Sequence, residues 1–392
     1  MQAVVYHAPG DIRIEDIRKP VPGPGELLVR IDACAVCGTD LKSRKHGNPR
    51  IKAPLVMGHE FTGIVVEGRG ARDEGRDAES VECGVRSVEG IETRCERREA
   101  REKNLTSHLS PLAPRPSPLV PRPGDRVVMA TSVSCGQCYY CRCGWRNLCD
   151  NLAPMGFSYP GGMAEYVVIP ALALEGGHAV KVPPHVDAKH AALAEPVSCA
   201  VNSVRMCDVQ PGDTVLVMGA GPMGLLNALV ARAAGASRIL LSEPNVMRRT
   251  QASSFDLDRI IDPETEDITK IVRDATDGHG ADVVIVAAPA VAPQEQAISL
   301  VRKHGTVNLF ASLPVGGCTL NIDSRILHYG EIRLIGSSDS TPEHVHEAVA
   351  MIAGQKIPAD KIVSHCLPLD QIEQAFELMQ SGEALRVVLL CP

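Results

Sequence analysis

The sequence has few aromatic residues, at 3% of its 392 positions, and it contains no stripe of Lys and Arg with aromatics between them. With a formal net charge of −7 as well, it lacks the stacking platforms and basic surface that a nucleic-acid partner needs. No apolar run has the character of a signal peptide or a membrane span, because residues 215–236 include four glycines, a proline and Arg232. We therefore expect no nucleic-acid partner, no export signal and no membrane contact.

The remaining composition is that of a folded protein. Apolar residues make up 44% and charged residues 22% of a chain long enough for two or three domains, and we take two as the starting count. Fourteen cysteines in a chain of this size, without a secretory start, favour metal binding over disulfides. This pattern indicates a reducing, cytoplasmic location.

Hydrophobic patterning divides the chain into two kinds of segment. Short β-branched runs at 27–31 and 61–67 stand between Pro and Gly clusters, which predicts a β-rich domain. From about Pro196, apolar strands alternate with helical segments, which predicts βαβ units and a parallel sheet. The predicted strands lie at 214–218, 239–242, 282–287 and 306–310. Two further helices are predicted at 341–353 and about 370–380, each followed by a glycine.

Residues 69–122 fit neither pattern. They are first dense in Arg and Glu, and then place six prolines within residues 111–123. With few large apolar side chains they cannot offset the entropy cost of ordering, so we expect an exposed and largely disordered insertion. Two other interpretations stay open: a segment that binds a partner, or non-native sequence introduced by a faulty gene model.

Five cysteines fall within residues 135–149. Zinc prefers four soft ligands in a tetrahedron, and short C-x2-C turns bring pairs of thiolates to one ion without long-range folding. We predict a structural zinc site with no open position, since packing alone rarely explains such a cluster of cysteines. The spacing leaves Cys143 out, and the four predicted ligands are Cys135, Cys138, Cys141 and Cys149.

A second, open metal site is suggested by two shorter strings. Cys37-Gly-Thr39-Asp40 follows one predicted strand and Gly58-His59-Glu60 precedes another. A Cys and a His from separate loops, with carboxylates nearby, would make a three-ligand site that keeps one position for water or substrate. Each string alone is weak evidence, because a single Gly-His-Glu is more often a structural turn.

A glycine-rich turn follows the strand at 214–218 and opens a helical run. Its glycines, Gly219, Gly221 and Gly224, suit a tight turn, close approach of a pyrophosphate and contact between helix and strand. We expect Pro222 and Met223, which lie between them, to share this dinucleotide site.

The residue that ends the next strand bears on the choice of cofactor. Glu243 lies about twenty residues beyond the glycines, where a carboxylate accepts hydrogen bonds from both ribose hydroxyls and repels a 2′-phosphate. This favours NAD over NADP. Arg248 and Arg249 follow closely and could hold a phosphate if Glu243 turned away, although a solvated helix face is the simpler interpretation of both.

These strings occur in the order seen in zinc-containing medium-chain alcohol dehydrogenases, and the chain resembles that family over nearly its whole length outside 69–122. The resemblance implies an α/β protein, with a GroES-like β-rich catalytic domain and a doubly wound Rossmann domain with a parallel sheet. Expected boundaries are 1–196 for the catalytic domain, 197–337 for the coenzyme domain, and 338–392 for a segment that returns to the catalytic domain.

The resemblance also implies the roles of individual residues. Catalytic zinc would be held by Cys37 and His59, with Glu60 as an adjacent ligand or supporting carboxylate. Ala194-Glu195-Pro196 looks like the polyol and threonine dehydrogenase branch, in which Glu195 would be a direct or water-mediated ligand. A solvated carboxylate at a helix start is the simpler alternative for Glu195. Thr39 matches the hydroxyl that relays the substrate proton, while Lys42 stands where many relatives have a relay histidine.

The resulting prediction is an oxidoreductase with two zinc ions per chain and NAD as its cofactor. It would oxidise a secondary alcohol, polyol or cyclitol-like, to a ketone by hydride transfer. The expected partner is a small-molecule alcohol, and relatives imply a homo-oligomer, either dimer or tetramer. The alternatives are an L-threonine dehydrogenase-like enzyme and a catalytically silent protein that binds NAD.

Overall fold

The structure is a computed structural model, and it describes residues 1–68, 120–314 and 316–391. The expected disordered insertion, 69–122, therefore lies outside the described residues except for its last three positions. Two large sheets organise the described chain, one mainly antiparallel and one fully parallel.

The mainly antiparallel sheet has seven strands and contains the C-terminal strand of the described fold. In spatial order six of its strands are Ala179–Lys181, Arg126–Met129, Glu60–Glu67, Leu27–Ala35, Val387–Leu390 and His365–Pro368. The seventh, Tyr166–Ile169, pairs with the first half of Leu27–Ala35. Smaller sheets lie beside it, formed by Asp11–Asp16, Gln2–Ala8 and Leu55–Val56, and by Ser132–Val133 and Ala153–Pro154.

Pairing in this sheet explains how distant parts of the chain meet. Ala35, at the end of the central strand, pairs with Glu60 on one side and with Val388 on the other. The C-terminal strand therefore lies beside the strand Leu27–Ala35, and the residues that flank it lie at the same end of the sheet as Glu60.

The parallel sheet has six strands in the order of a Rossmann fold, with the first three reversed in space relative to the chain. The order is Arg259–Ile261, Arg238–Ser242, Thr214–Met218, Ala281–Val286, Val301–Leu309 and Arg333–Gly336. Alternate residues of the central strand pack into cores on opposite faces of the sheet. Val215 and Val217 pack into one core, and Leu216 and Met218 pack into the other. The strand is buried throughout because helices cover both faces of the sheet.

Helices fall into three groups along the chain. Those before the parallel sheet are Gly38–His46, Tyr139–Arg142, Ala171–Glu175, Ala188–Ala191 and Ala194–Cys207. Those within it are Pro222–Ala233, Val246–Ala252, Ile268–Asp274, Val291–Leu300 and Ser324–Gly330. Those after it are Pro342–Ala353, Ala359–Ile362 and Ile372–Ser381, with short 3₁₀ turns at Arg146–Leu148 and Leu369–Gln371.

One helix connects the two sheets. Ala194–Cys207 buries its apolar side in the core that also holds Val215 and Val345. It begins beside the antiparallel sheet and crosses the expected domain boundary at 196. Residues of its first turn therefore lie near the candidate site described below. Among the described helices, none combines the length and the apolar character needed to cross a membrane.

The expected elements are present, with shifts at their ends. The strand at 214–218 and the helix start near 341 agree with Thr214–Met218 and Pro342–Ala353. The strand expected at 306–310 is longer, Val301–Leu309, because it continues through the charged residues Arg302 and Lys303. The apolar pattern of the sequence does not predict that extension.

Candidate functional site

The first site is a lobe formed by residues 135–149, which we call the cysteine lobe. Its four predicted ligands come together: the sulfur atoms of Cys135, Cys138, Cys141 and Cys149 all lie within 4.8 Å of one another. Cys135 Sγ is 4.0 Å from Cys141 Sγ, and Cys138 Sγ is 3.9 Å from Cys149 Sγ. Four sulfurs bound to one zinc at about 2.3 Å would be roughly 3.8 Å apart, so these spacings fit a tetrahedral zinc site.

Backbone amides around the cysteine lobe stabilise negative sulfur. The N–H groups of Cys138 and Asn151 donate to Cys135 Sγ and Cys149 Sγ at 3.4 and 3.3 Å. Backbone amide donors, that of Cys138 among them, lower the pKa of the Cys135 thiol to about 6, whereas burial raises that of Cys141 to about 12. Only some of the four thiols thus ionise readily. A bound cation would supply the positive charge that stabilises the others as thiolates.

The second site begins at the amino end of the helix Gly38–His46. Cys37 occupies the position before this helix, and its N–H donates to Asp40 Oδ2 at 2.9 Å, which fixes the turn. The Thr39 hydroxyl lies 3.6 Å from Cys37 Sγ. Burial alone would raise the pKa of the Cys37 thiol, but His59 and Arg386 outweigh it and lower the pKa to about 7.

His59 lies between Cys37 and Asp40. Its Nδ1 atom is 3.5 Å from Asp40 Oδ1 and, in the described part of the chain, makes no hydrogen bond of acceptable geometry. Burial opposes a charged imidazole, yet Asp40 and Cys37 raise the pKa of His59 well above its usual value. A carboxylate behind a ligating histidine is the usual device that orients the ring toward a metal.

Glu60 starts the strand Glu60–Glu67 and is almost fully buried. One oxygen, Oε1, accepts from Arg386 Nη2 at 2.9 Å, and the Arg386 side chain also donates to the Val36 carbonyl at 3.2 Å. The other oxygen, Oε2, is buried without a hydrogen-bond partner among the described residues. Burial raises the pKa of Glu60 well above its usual range, and Arg386 opposes this shift.

Glu195 faces this group from the connecting helix. Burial raises the pKa of its carboxyl to about 8, and the negative charge of Glu60 adds to this shift. Glu195 also lies in a second cluster, in which its carboxylate oxygen, Cys199 Sγ and a carboxylate oxygen of Asp339 are all within 4.8 Å of one another.

These residues fit a zinc ion of the catalytic type. Ligand atoms of Cys37, His59 and Glu60 lie within 4.8 Å of one another, and they offer the sulfur, nitrogen and oxygen donors that zinc accepts. Among the described residues, the buried Glu60 Oε2 and His59 Nδ1 atoms lack the hydrogen-bond partners that a bound ion and its supporting groups would provide. The Glu195 carboxylate would offer a further oxygen ligand to such an ion.

The glycine turn has the geometry that a pyrophosphate needs. Gly219 has a positive φ of 110°, and a Cβ on Gly224 would lie 1.8 Å from the Gly219 carbonyl oxygen, so only glycine fits there. Around Gly221, by contrast, the space is open. Gly221 precedes the helix Pro222–Ala233, with Pro222 in its first turn and Met223 beside it, and the helix N–H groups face that space.

Glu243 is buried at the end of its strand and is held by backbone donors. Its Oε2 accepts from Ala220 N at 2.8 Å and its Oε1 from Asn245 N at 2.9 Å. Arg248 Nη1 is 4.0 Å from Glu243 Oε2, whereas Arg249 pairs with Asp262 at 2.7 Å and donates to the Glu243 backbone carbonyl at 2.9 Å. Glu243 thus stays turned toward the glycine turn, and Arg248 is the guanidinium beside it.

Three residues at the metal-site cluster escaped the sequence reasoning. Asp40 was visible in its motif but received no role, while Arg386 and Asp339 lie hundreds of residues away from Glu60 in the chain. Arg386 carried one signal, a charged residue directly before the apolar run Val387–Leu390. Asp339 carried none, because its position depends on the turn after the last parallel strand.

Two family descriptions match most of the chain. "Alcohol dehydrogenase GroES-like domain" matches residues 23–111 and 119–183, and "zinc-binding dehydrogenase" matches residues 222–354. The first match includes five of the seven strands of the antiparallel sheet, and the second includes five of the six strands of the parallel sheet.

Curated relatives span the full length. An L-threonine 3-dehydrogenase of Pyrococcus horikoshii is 32% identical, and the match covers 100% of this chain and 98% of the relative. A sorbitol dehydrogenase of Halalkalibacterium halodurans is 30% identical, with 99% of each chain covered. An erythritol/L-threitol dehydrogenase of Mycolicibacterium smegmatis is also 30% identical, with 100% and 97% covered.

Solved structures share the same arrangement of both sheets. A zinc-binding dehydrogenase from Sinorhizobium meliloti, bound to NADP, superposes with a TM-score of 0.81 at 28% identity, covering 99% of this chain and 98% of that one. An alcohol dehydrogenase from Thermus sp. ATN1 superposes with a TM-score of 0.79 at 26% identity, covering both chains completely.

Proposed function

The chain belongs to the zinc-containing medium-chain alcohol dehydrogenase family, and we propose that it oxidises a secondary alcohol, polyol or cyclitol-like, to the ketone with NAD. The observation that carries this proposal is the donor set of Cys37, His59 and Glu60, buried together and facing Glu195. The overall reaction balances as alcohol plus NAD⁺ giving ketone, NADH and one proton.

We assign two zinc ions to each chain. Cys135, Cys138, Cys141 and Cys149 would hold a structural ion, whereas Cys37, His59 and Glu60 would hold a catalytic one, with Glu195 as a direct or water-mediated fourth ligand. When bound, the catalytic ion supplies Lewis acidity toward the substrate oxygen. The cysteine lobe leaves no ligand position free, whereas the second site leaves one for water or substrate whenever Glu195 is not a direct ligand.

Thr39 is proposed to move the substrate proton. Its hydroxyl is next to Cys37 Sγ, at 3.6 Å, and therefore borders the position where the reacting oxygen would sit. Lys42, one turn further along the same helix, is exposed and stands toward solvent. A proton that leaves Thr39 therefore passes to water rather than to an imidazole at that position.

The cofactor would lie across the carboxyl ends of the parallel strands. Gly221 and the first turn of Pro222–Ala233 offer N–H groups to the pyrophosphate, and Glu243 offers its remaining acceptor capacity to the adenosine ribose. We propose NAD rather than NADP, since a carboxylate there repels a 2′-phosphate. Arg248, 4.0 Å from Glu243, is the residue that would help a 2′-phosphate bind.

A second candidate substrate is L-threonine. Several relatives at 32–33% identity carry the name L-threonine 3-dehydrogenase, and this observation favours the amino alcohol as an alternative to a polyol. We further propose that the enzyme works as a cytoplasmic homo-oligomer, a dimer or tetramer as is usual in the family, with a small-molecule alcohol as its substrate.

One screen tests these proposals together. NAD and NADP reduction is measured with polyols, cyclitols, L-threonine and simple alcohols, and zinc is quantified on the same sample. We expect turnover of a polyol or cyclitol with NAD and about two zinc ions per chain. Turnover confined to L-threonine would select the alternative, and no turnover with about one zinc ion would instead indicate a catalytically silent NAD-binding protein.

A further inference from the structure

The turn after the last parallel strand holds a carboxylate in an uncommon position. Asp339 lies between Arg333–Gly336 and Pro342–Ala353 with a positive φ of 61°, a region that non-glycine residues rarely occupy outside turns and functional sites. Asn202 Nδ2 fixes the turn by donating to the Asp339 carbonyl at 2.9 Å and to the Ser338 carbonyl at 3.2 Å. The turn is therefore tied to the connecting helix.

Asp339 faces the reacting end of the proposed active site. One of its carboxylate oxygens lies within 4.8 Å of both a Glu195 carboxylate oxygen and Cys199 Sγ. Glu195 is the residue proposed as the fourth ligand beside Cys37, His59 and Glu60, and the buried Glu60 Oε2 has no hydrogen-bond partner in the described chain. Asp339 therefore lies next to a proposed ligand of the catalytic ion.

Asp339 also borders a cleft that extends away from this end. The cleft has a volume of about 570 Å³ and lies between the cysteine lobe and the Ser338–Asp339 turn. Arg50, Asn147 and Asp150 supply polar groups to its lining. Asp339 is thus the residue that this cleft shares with the cluster around Glu195.

The contacts of Asp339 indicate which group it receives. Ser132 Oγ donates to its Oδ2 and Ser340 N donates to its Oδ1 at 2.7 Å, which leaves lone pairs free on a carboxylate with about four acceptor sites. In the described chain, the hydrogen-bond donors to this carboxylate are neutral. A substrate hydroxyl is a donor of the same kind and matches the contacts that Asp339 already makes.

We propose that Asp339 is a substrate-binding residue that accepts a hydrogen bond from the hydroxyl next to the oxidised carbinol, and thereby selects vicinal diols and polyols over monohydric alcohols. This inference rests on the proposed function. It assigns to Asp339 a part in substrate preference that is separate from metal binding at Cys37, His59 and Glu60.

The test is a ratio of substrate preferences in the zinc-loaded enzyme. The specificity constant kcat/KM is measured with NAD for each stereoisomer of butane-2,3-diol, for 3-aminobutan-2-ol and for butan-2-ol. The variants are Asp339→Gly, which suits the positive φ without a side chain, and Asp339→Asn, which keeps an acceptor oxygen. Asp277→Gly is the matched control, because Asp277 is an exposed aspartate at φ 51° on the parallel-sheet domain.

We expect the wild type to prefer a diol over butan-2-ol, and Asp339→Gly to reduce that ratio of kcat/KM roughly tenfold or more, since a buried hydrogen bond to a charged group is lost. Asp339→Asn should retain part of the preference, and Asp277→Gly all of it. An unchanged ratio in Asp339→Gly, or a preference for the amino alcohol over the diol, would overturn this inference alone. Failure of the wild type to oxidise any of these alcohols would overturn the proposed function and this inference with it.

Discussion

The cysteine lobe and the site around Cys37 use similar atoms but are assembled in opposite ways. All four lobe sulfurs come from residues 135–149, and backbone amides of the same loop donate to them. The proposed ligands of the second site come from residue 37, from residues 59–60 and from a helix that starts at residue 194, and Arg386 binds Glu60 across 326 positions of sequence.

This difference has a physical consequence. A short loop loses little entropy when it closes around an ion, so we expect the lobe to depend mainly on the zinc ion proposed for it. The second site forms only when the antiparallel sheet, the connecting helix and the C-terminal strand are all in place. Substitutions in the lobe should therefore affect stability first, and those in the assembled site should affect turnover first.

The largest expected effect is the loss of turnover in Cys37→Ser. Replacing the sulfur ligand removes the Lewis acid from the reacting end, and kcat/KM should fall roughly 10³-fold or more while the fold is retained. Steady-state kinetics with circular dichroism measure both. Cys318→Ser, at an exposed cysteine, is the matched control and should keep full activity. Activity of Cys37→Ser within tenfold of wild type would contradict the assignment of Cys37 as a ligand.

The second effect concerns the cysteine lobe. Cys138→Ser should lower the free energy of unfolding by about 4 kcal/mol or more, since loss of a structural metal is among the most damaging single changes. The only tryptophan of the chain, Trp145, lies in this lobe, so denaturant unfolding can be followed there by fluorescence. Unchanged stability together with the loss of one zinc ion would show that the lobe has no structural role.

Arg386→Gln tests how far the assembled site depends on the C-terminal strand. Breaking the buried pair leaves the Glu60 charge uncompensated, which should cost about 3 kcal/mol of stability. Thermal and denaturant unfolding measure this loss. Lys270→Ala breaks an exposed pair with Asp274 and should cause no measurable change. Equal effects of the two variants would refute the coupling between Arg386 and Glu60.

The smallest effect is a pH dependence at the base of the cysteine lobe. Buried His178 accepts from Ser134 N at 3.4 Å through Nε2, and its Nδ1 donates to the Ala130 carbonyl at 2.9 Å, so the ring is neutral in the fold. Burial lowers the pKa of His178 to about 4. The unfolded chain takes up a proton near pH 6.5, so stability is constant above that pH, falls between 6.5 and 4, and levels off below.

His178→Gln isolates this contribution. Between pH 7 and pH 5 the wild type should lose about 2 kcal/mol more stability than the variant. Denaturant unfolding at both pH values, followed through Trp145, measures the difference. Equal losses in the two proteins would mean that His178 is not held neutral.

The same comparison explains what the sequence could predict. Local signals, such as the C-x2-C spacing and the glycine turn after Thr214–Met218, specify their own geometry because neighbouring residues make most of the contacts. The ligand strings at Cys37 and His59 were visible as separate pieces. Their meeting at one point depends on strand pairing across Ala35, which periodicity does not reveal.

Residues without a local motif remained hidden. Arg386 acquires its role from a strand that returns to the first domain, and Asp339 from a turn tied to Asn202 on a different helix. Both are charged residues whose partners lie far away in sequence, so composition and spacing could not distinguish them from surface residues.

Zinc content per folded chain is the most direct test of the two-site account. It is measured for the wild type, Cys37→Ser and Cys138→Ser after removal of loosely bound metal. The account predicts about two ions in the wild type and about one in each variant, with stability lost mainly in Cys138→Ser and turnover mainly in Cys37→Ser. A single ion in the wild type, or loss of both ions from either variant, would contradict it.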